Sequence, residues 1–113
     1  MNLEIGNTYY QITYSDPGLT MPGIKPVVFI GNNIFEENDE DLHYFQDTVS
    51  YVKYGVATKA DLFESINCSV ISFKNNEVGV SIVELENLPK IVNRCIQKVK
   101  DLGSQKLQVL NGK

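Results

Sequence analysis

Leu88, Ile91, Val92, Cys95, Ile96, Val99 and Leu102 recur at the spacing of one helical face, while Lys90, Arg94 and Lys98 fall opposite them. This predicts an amphipathic helix near the C-terminus. Asn87 is the expected N-cap, Pro89 suits the first turn because its missing N–H would be unpaired there, and Gly103 is the expected stop. All seven apolar positions, Ile91 and Ile96 included, are expected to face the core. The tail Ser104 to Lys113 then holds Leu107 and Val109, which suit an edge strand.

A different period governs the N-terminal half. Thr8 to Tyr14 is aromatic and β-branched and reads as a strand, closed by the turn Ser15-Asp16-Pro17-Gly18. Three of the four prolines and two glycines fall between Ser15 and Pro26, which predicts a long stiffened loop. Val27 to Ile30 is a continuous apolar run halted at Gly31-Asn32-Asn33, as in a central strand. Leu42 to Gln46 reads as a third strand. Its neighbours Tyr44 and Phe45 must point to opposite faces, with Phe45 expected inside and Tyr44 exposed.

Asp47 is placed to cap a short helix over Thr48–Tyr54, with Val49 and Val52 as its apolar pair and Gly55 as its end; the alternative is a continued strand. Thr58 and Asp61 suggest a capping box opening a helix to Ile66. Ser69 to Lys74 and Glu77 to Val83, joined by Asn75-Asn76, read as a hairpin with a type I′ turn. The predicted architecture is α+β: a single domain over 1–113, an antiparallel sheet of about five strands, and the C-terminal helix packed across one face. A small SH3-like barrel formed by the first three strands is the alternative.

Charge divides the chain. Residues 1–57 carry eight acids against Lys25 and Lys53, net −6, and residues 58–113 carry six acids against eight bases, net +2. Six carboxylates, Glu36, Glu37, Asp39, Glu40, Asp41 and Asp47, lie in twelve residues that hold no Lys or Arg. Such a run repels itself, repels phosphates, and attracts cationic surfaces. Nucleic-acid binding is therefore not expected, and the Lys90–Arg94–Lys98 stripe reads as the wet face of a helix. No basic-then-apolar leader opens the sequence and no apolar run approaches a membrane span, so a cytoplasmic protein without membrane association is expected. In that compartment Cys68 and Cys95 read as small buried hydrophobes rather than a disulfide, and the sequon Asn67-Cys68-Ser69 carries no meaning.

Candidate chemistry is sparse. Asp39-x-Asp41-x-His43 would share one face of an extended segment, but His43 is the sole histidine and nothing else completes a metal set. Pairing His43 with Cys68 or Cys95 as a nucleophile has no sequence context behind it. No phosphate-binding loop is present. No catalytic residue, cofactor or metal is expected.

In general character, by size, charge and the Glu36–Asp47 run, the chain resembles bacterial immunity proteins or phage-encoded inhibitors, without a motif specific to one family. The resemblance implies an immunity- or antitoxin-type inhibitor that covers a basic protein partner with an acidic surface. All six tyrosines lie between Tyr9 and Tyr54, and tyrosine is a stiff, half-polar contact residue, so the same half is expected to be the binding half. The expected contact set is Glu36, Glu37, Asp39, Glu40, Asp41, Tyr44, Asp47 and Tyr51. Two alternatives stand beside it: a scaffold module or homodimer without inhibitory role, and a ligand-binding protein or enzyme with a pocket under the 15–26 segment.

Overall fold

The computed structural model describes residues 1–35, 41–58 and 68–111, with side chains through 103. Five strands form one antiparallel sheet: β1 (Thr8–Tyr14), β2 (Pro22–Asn32), β3 (Leu42–Asp47), β4 (Val70–Lys74) and β5 (Ile82–Val83). Their spatial order is β4-β3-β2-β1-β5. Among the described residues two α-helices accompany the sheet, α1 (Thr48–Tyr54) and α2 (Leu88–Asn111), the second entered through a 3₁₀ turn at Leu85–Asn87.

The strand order forces the sheet to curl. β4 and β5 lie on opposite edges, which in a flat five-stranded sheet would stand roughly 19 Å apart. Yet Phe73 of β4 and Ile82 of β5 belong to one core with Tyr9, Val27, Phe29 and Phe45. All five strands therefore line one concave face, and the curl is not confined to the first three. Phe45, fully buried, sits at the centre, with ring centroids 5.4 Å from Phe29, 5.8 Å from Phe73 and 6.0 Å from Tyr9. A second, smaller core lies on the other face, where Ile12 and Val83 meet Ile91 of α2, flanked by Tyr10, Tyr14 and Leu88.

Several expectations change. The loop expected over 15–26 is shorter: β2 begins at Pro22 and pairs with β1 from Tyr14↔Pro22 to Thr8↔Val28. β3 pairs only from Val27 onward, so the Pro22–Pro26 end of β2 is an open edge, where a strand tolerates a missing N–H. At the other end a bulge makes Ile30 the extra residue between the pairs Phe29↔Phe45 and Gly31↔Tyr44. Gly31 there has φ 142, and a β-carbon on it would stand 2.8 Å from Ile34 Cγ2.

The expected hairpin over 69–83 does not form. β4 pairs with β3, and the chain then crosses by tight turns, Glu77 N–H to Lys74 O at 3.0 Å and Ser81 N–H to Glu77 O at 2.8 Å, to reach β1. Asn75 and Asn76 are not among the residues with positive φ, so no type I′ turn is made. The helix expected from Thr58 to Ile66 falls mostly outside the described residues.

Helix α1 is where the sequence placed it, but its buried side is not the expected one. Val49 and Val52 are 74 % and 85 % exposed, while Ser50 is buried. The side chain beneath is Gln46, also buried, which donates to Ser50 Oγ at 2.9 Å and Gly55 O at 3.0 Å and accepts from Ala57 N–H at 2.8 Å. One amide thus fastens α1 and the segment after it to β3. Gly55 ends the helix at φ 79, donating to Tyr51 O at 2.8 Å.

Helix α2 also departs from expectation. Asn87 lies in the 3₁₀ turn rather than at a cap, and the helix runs through Gly103 to Asn111, in place of a stop and an edge strand. Of its seven apolar positions Ile91 and Cys95 are buried and Leu88 packs on the second core, but Val92, Ile96, Val99 and Leu102 are exposed. No described helix is long and apolar enough to cross a membrane.

Candidate interaction surface

The acidic run lies in the connection from β2 to β3, and the base of that connection is tied. Asn33 takes φ 50, a left-handed conformation that asparagine accepts readily. Its backbone N–H donates to Leu42 O at 2.9 Å, its Oδ1 accepts from Leu42 N–H at 2.8 Å, and its Nδ2 donates to Asp41 Oδ1 at 3.2 Å. Residues 33 and 41–42 are thereby clamped together. Phe35 adds a second anchor, edge-on to Tyr44 with centroids 5.0 Å apart. Glu36, Glu37, Asp39 and Glu40 lie outside the described residues, between these two fixed points.

The turn after β4 sits at the same end. His43 bridges them, with Nδ1 2.6 Å from Asn32 Oδ1 and Nε2 against Asn75 Oδ1. Beside it Asp41, Lys74, Asn75 and Asn76 line an open cleft of about 380 Å³. The expected face shared by Asp41 and His43 is thus taken up by asparagine side chains, and Asp39 is outside the described residues. No group of three metal-ligating side chains gathers among the described residues.

The remaining expected contact residues are elsewhere. Asp47 lies at the far end of β3 from Leu42, about 17 Å away along an extended strand. It is the N-cap of α1: its carboxylate accepts from Ser50 N–H at 2.8 Å, from the Ser50 hydroxyl at 2.5 Å and from Ser69 N–H at 2.8 Å. Burial pushes this carboxyl up, but the Ser50 and Ser69 hydrogen bonds and the nearby Lys25 charge outweigh it and hold the pKa below the usual value. Tyr51 is half-buried, its hydroxyl 3.3 Å from where a β-carbon on Gly6 would stand.

Tyrosine does not form the expected binding surface as a group. Tyr9 and Tyr44 are buried, and Tyr10 and Tyr14 pack on the second core. The expectation that Tyr44 is exposed is therefore wrong. The residue is on the opposite face from Phe45, as alternation requires, but that face is covered too. Only Tyr54 stands well exposed, with Lys53 Nζ 5.7 Å from its ring.

Asp16 closes the β1–β2 loop. It accepts from the Thr20 hydroxyl at 2.7 Å, Thr20 N–H at 3.0 Å and Met21 N–H at 2.8 Å, and these bonds, that of the Thr20 hydroxyl first, hold its pKa below the ordinary range. Cys68 and Cys95 are not joined in a disulfide; Cys95 is buried as expected, Cys68 only partly. The asparagine clamp was missed in the sequence, where Asn32-Asn33 read simply as a strand stop. The left-handed tolerance of asparagine was the available signal. No protein-family model, no curated protein and no solved structure matches this chain.

Proposed function

We propose that the protein is a small binding protein of the immunity or antitoxin type, which blocks a basic protein partner through the acidic β2–β3 connection. The observation that carries this reading is the clamp of Asn33 on Asp41 and Leu42. It joins the residues that flank, in sequence, four further carboxylates, Glu36, Glu37, Asp39 and Glu40. A loop with its ends fixed loses less freedom on binding than a free tail, so more of its contact energy appears as affinity. Dense negative charge accelerates encounter with a cationic surface over about one Debye length, ~8–10 Å. The inhibitor then acts by occupying that surface and needs no catalytic group.

The contact set is narrower than the sequence suggested. Asp41 serves at the base, while Tyr44 is buried in the sheet and Asp47 and Tyr51 belong to the α1 end of β3. The test is capture from native lysate on the immobilised chain, beside a variant carrying Glu36→Gln, Glu37→Gln, Asp39→Asn and Glu40→Gln. The expected result is a basic protein held by the parent and released by the variant, its activity blocked by the parent alone. A partner held and blocked equally by both would refute the reading.

A further inference from the structure

Helix α2 is longer than its support. Twenty-four residues make a rod of ~36 Å, yet among its residues with described side chains, Leu88 to Gly103, those buried are Ile91 and Cys95, in the first turns. The chain measures 62 × 28 × 26 Å with a radius of gyration of 18.0 Å, against ~13 Å for a compact chain of this length. The rest of the apolar stripe is only partly covered: Val92 is 38 %, Ile96 46 %, Val99 52 % and Leu102 44 % exposed. In sequence Leu107 and Leu110 follow at helical spacing. A helical segment of about fifteen residues is marginal in water on its own, and Gly103 within it costs about 1 kcal/mol more than alanine would. An outside contact would supply what the sheet does not.

Charge decides what that contact is. Between Leu88 and Gly103 the helix carries Lys90, Arg94, Lys98 and Lys100 against Asp101 alone. Helical geometry places Lys98 on one border of the stripe, next to Leu102, and Lys100 on the other, next to Ile96. Asp101 lies on the far side, where its Oδ1 accepts from Gln97 Nε2 at 3.0 Å. A second copy would bring the same cations against this seam.

We propose that the Val92–Ile96–Val99–Leu102 face of α2, bordered by Lys98 and Lys100, docks an acidic amphipathic helix of a partner protein. Apolar anchors on that helix fill the stripe, and its glutamates or aspartates meet the two lysines, in the helix-against-groove mode. This surface is independent of the acidic β2–β3 connection and opposite to it in charge, so each can fail without the other.

The probe is a fluorescein-labelled synthetic helical peptide with leucines at heptad contact positions and glutamate at the flanks. The control peptide has lysine in place of every glutamate. Anisotropy with the full chain should show the acidic peptide binding at least ~10-fold tighter than the basic one at low salt, with the gap closing as salt is raised. Lys98→Glu with Lys100→Glu should reverse the preference. Val99→Ser with Leu102→Ser should weaken binding of the acidic peptide while circular dichroism shows the sheet intact. Equal binding of both peptides, or binding of neither, would overturn the proposal. So would a stable dimer in sedimentation equilibrium that the Val99→Ser, Leu102→Ser variant dissolves, since the face would then belong to a second copy.

Discussion

Replacing Gln46 by leucine tests whether a single buried amide holds α1 to the sheet. The side chain is 1 % exposed and every hydrogen-bonding group it presents is engaged, by Ser50 Oγ, Gly55 O and Ala57 N–H. Each such bond is worth a net ~0.5–1.5 kcal/mol, and a buried partner left unpaired costs ~1–3 kcal/mol. Leucine fills similar volume and recovers part of this by apolar burial, so the expected loss is about 2–4 kcal/mol. In urea unfolding followed by circular dichroism the midpoint should fall by roughly 1–2 M with little change in slope. Ser50→Ala should cost less in the Gln46→Leu background than in the parent, because the two side chains share one bond. A loss below about 0.5 kcal/mol, or strict additivity with Ser50→Ala, would refute the role given to Gln46.

Ile91→Ala should cost about 2–5 kcal/mol because Ile91 is buried, and Ile96→Ala under about 1 kcal/mol because Ile96 is 46 % exposed; equal losses in thermal unfolding would contradict the packing of α2. Tyr44→Ala should lower stability by about 3–5 kcal/mol, since the ring is buried against Phe35, rather than act only on partner dissociation. Asp47→Ala should cost about 1–2 kcal/mol near neutral pH through loss of the cap. Because the folded carboxyl lies below its ordinary pKa, its ionised form stabilises above that value, ~3.9, and the contribution fades as pH falls through the folded pKa. The gap between parent and Asp47→Ala in an unfolding series should therefore narrow as pH falls below the ordinary carboxylate range. Melting curves should not move when a chelator is added, given that Asp41 and His43 face asparagines.

The sequence was most legible where one local rule decided the outcome. Asp47 at the head and Gly55 at the end of α1 mark its bounds by side-chain and backbone chemistry that operates within a few residues. β1, β3 and the start of α2 follow from periodicity. Failures came where partners distant in the chain decide. Pro22 and Pro26 suggested a loop, but β1 recruits them into a strand whose outer edge is open. Asn75-Asn76 suggested a hairpin, but Ile82–Val83 pair with β1 instead of β4. Tyr44 was expected in solvent because alternation gives the face a residue takes and not whether something covers that face. Gln46 and Ser50 carried no apolar signal at all; their burial depends on mutual hydrogen bonding, which polarity patterns misread as exposure.

The most direct test of the acidic connection as the encounter surface is the association rate of the captured basic partner, measured by stopped flow across a salt series. The parent is compared with the variant neutralised at Glu36, Glu37, Asp39 and Glu40, which leaves Asp41 and Asp47 to their work in the fold. The expected result is a parent rate that falls steeply with salt and a variant rate that is lower by ~10-fold or more at low salt and nearly salt-independent, with unfolding midpoints unchanged. Equal rates and equal salt slopes for parent and variant would contradict it.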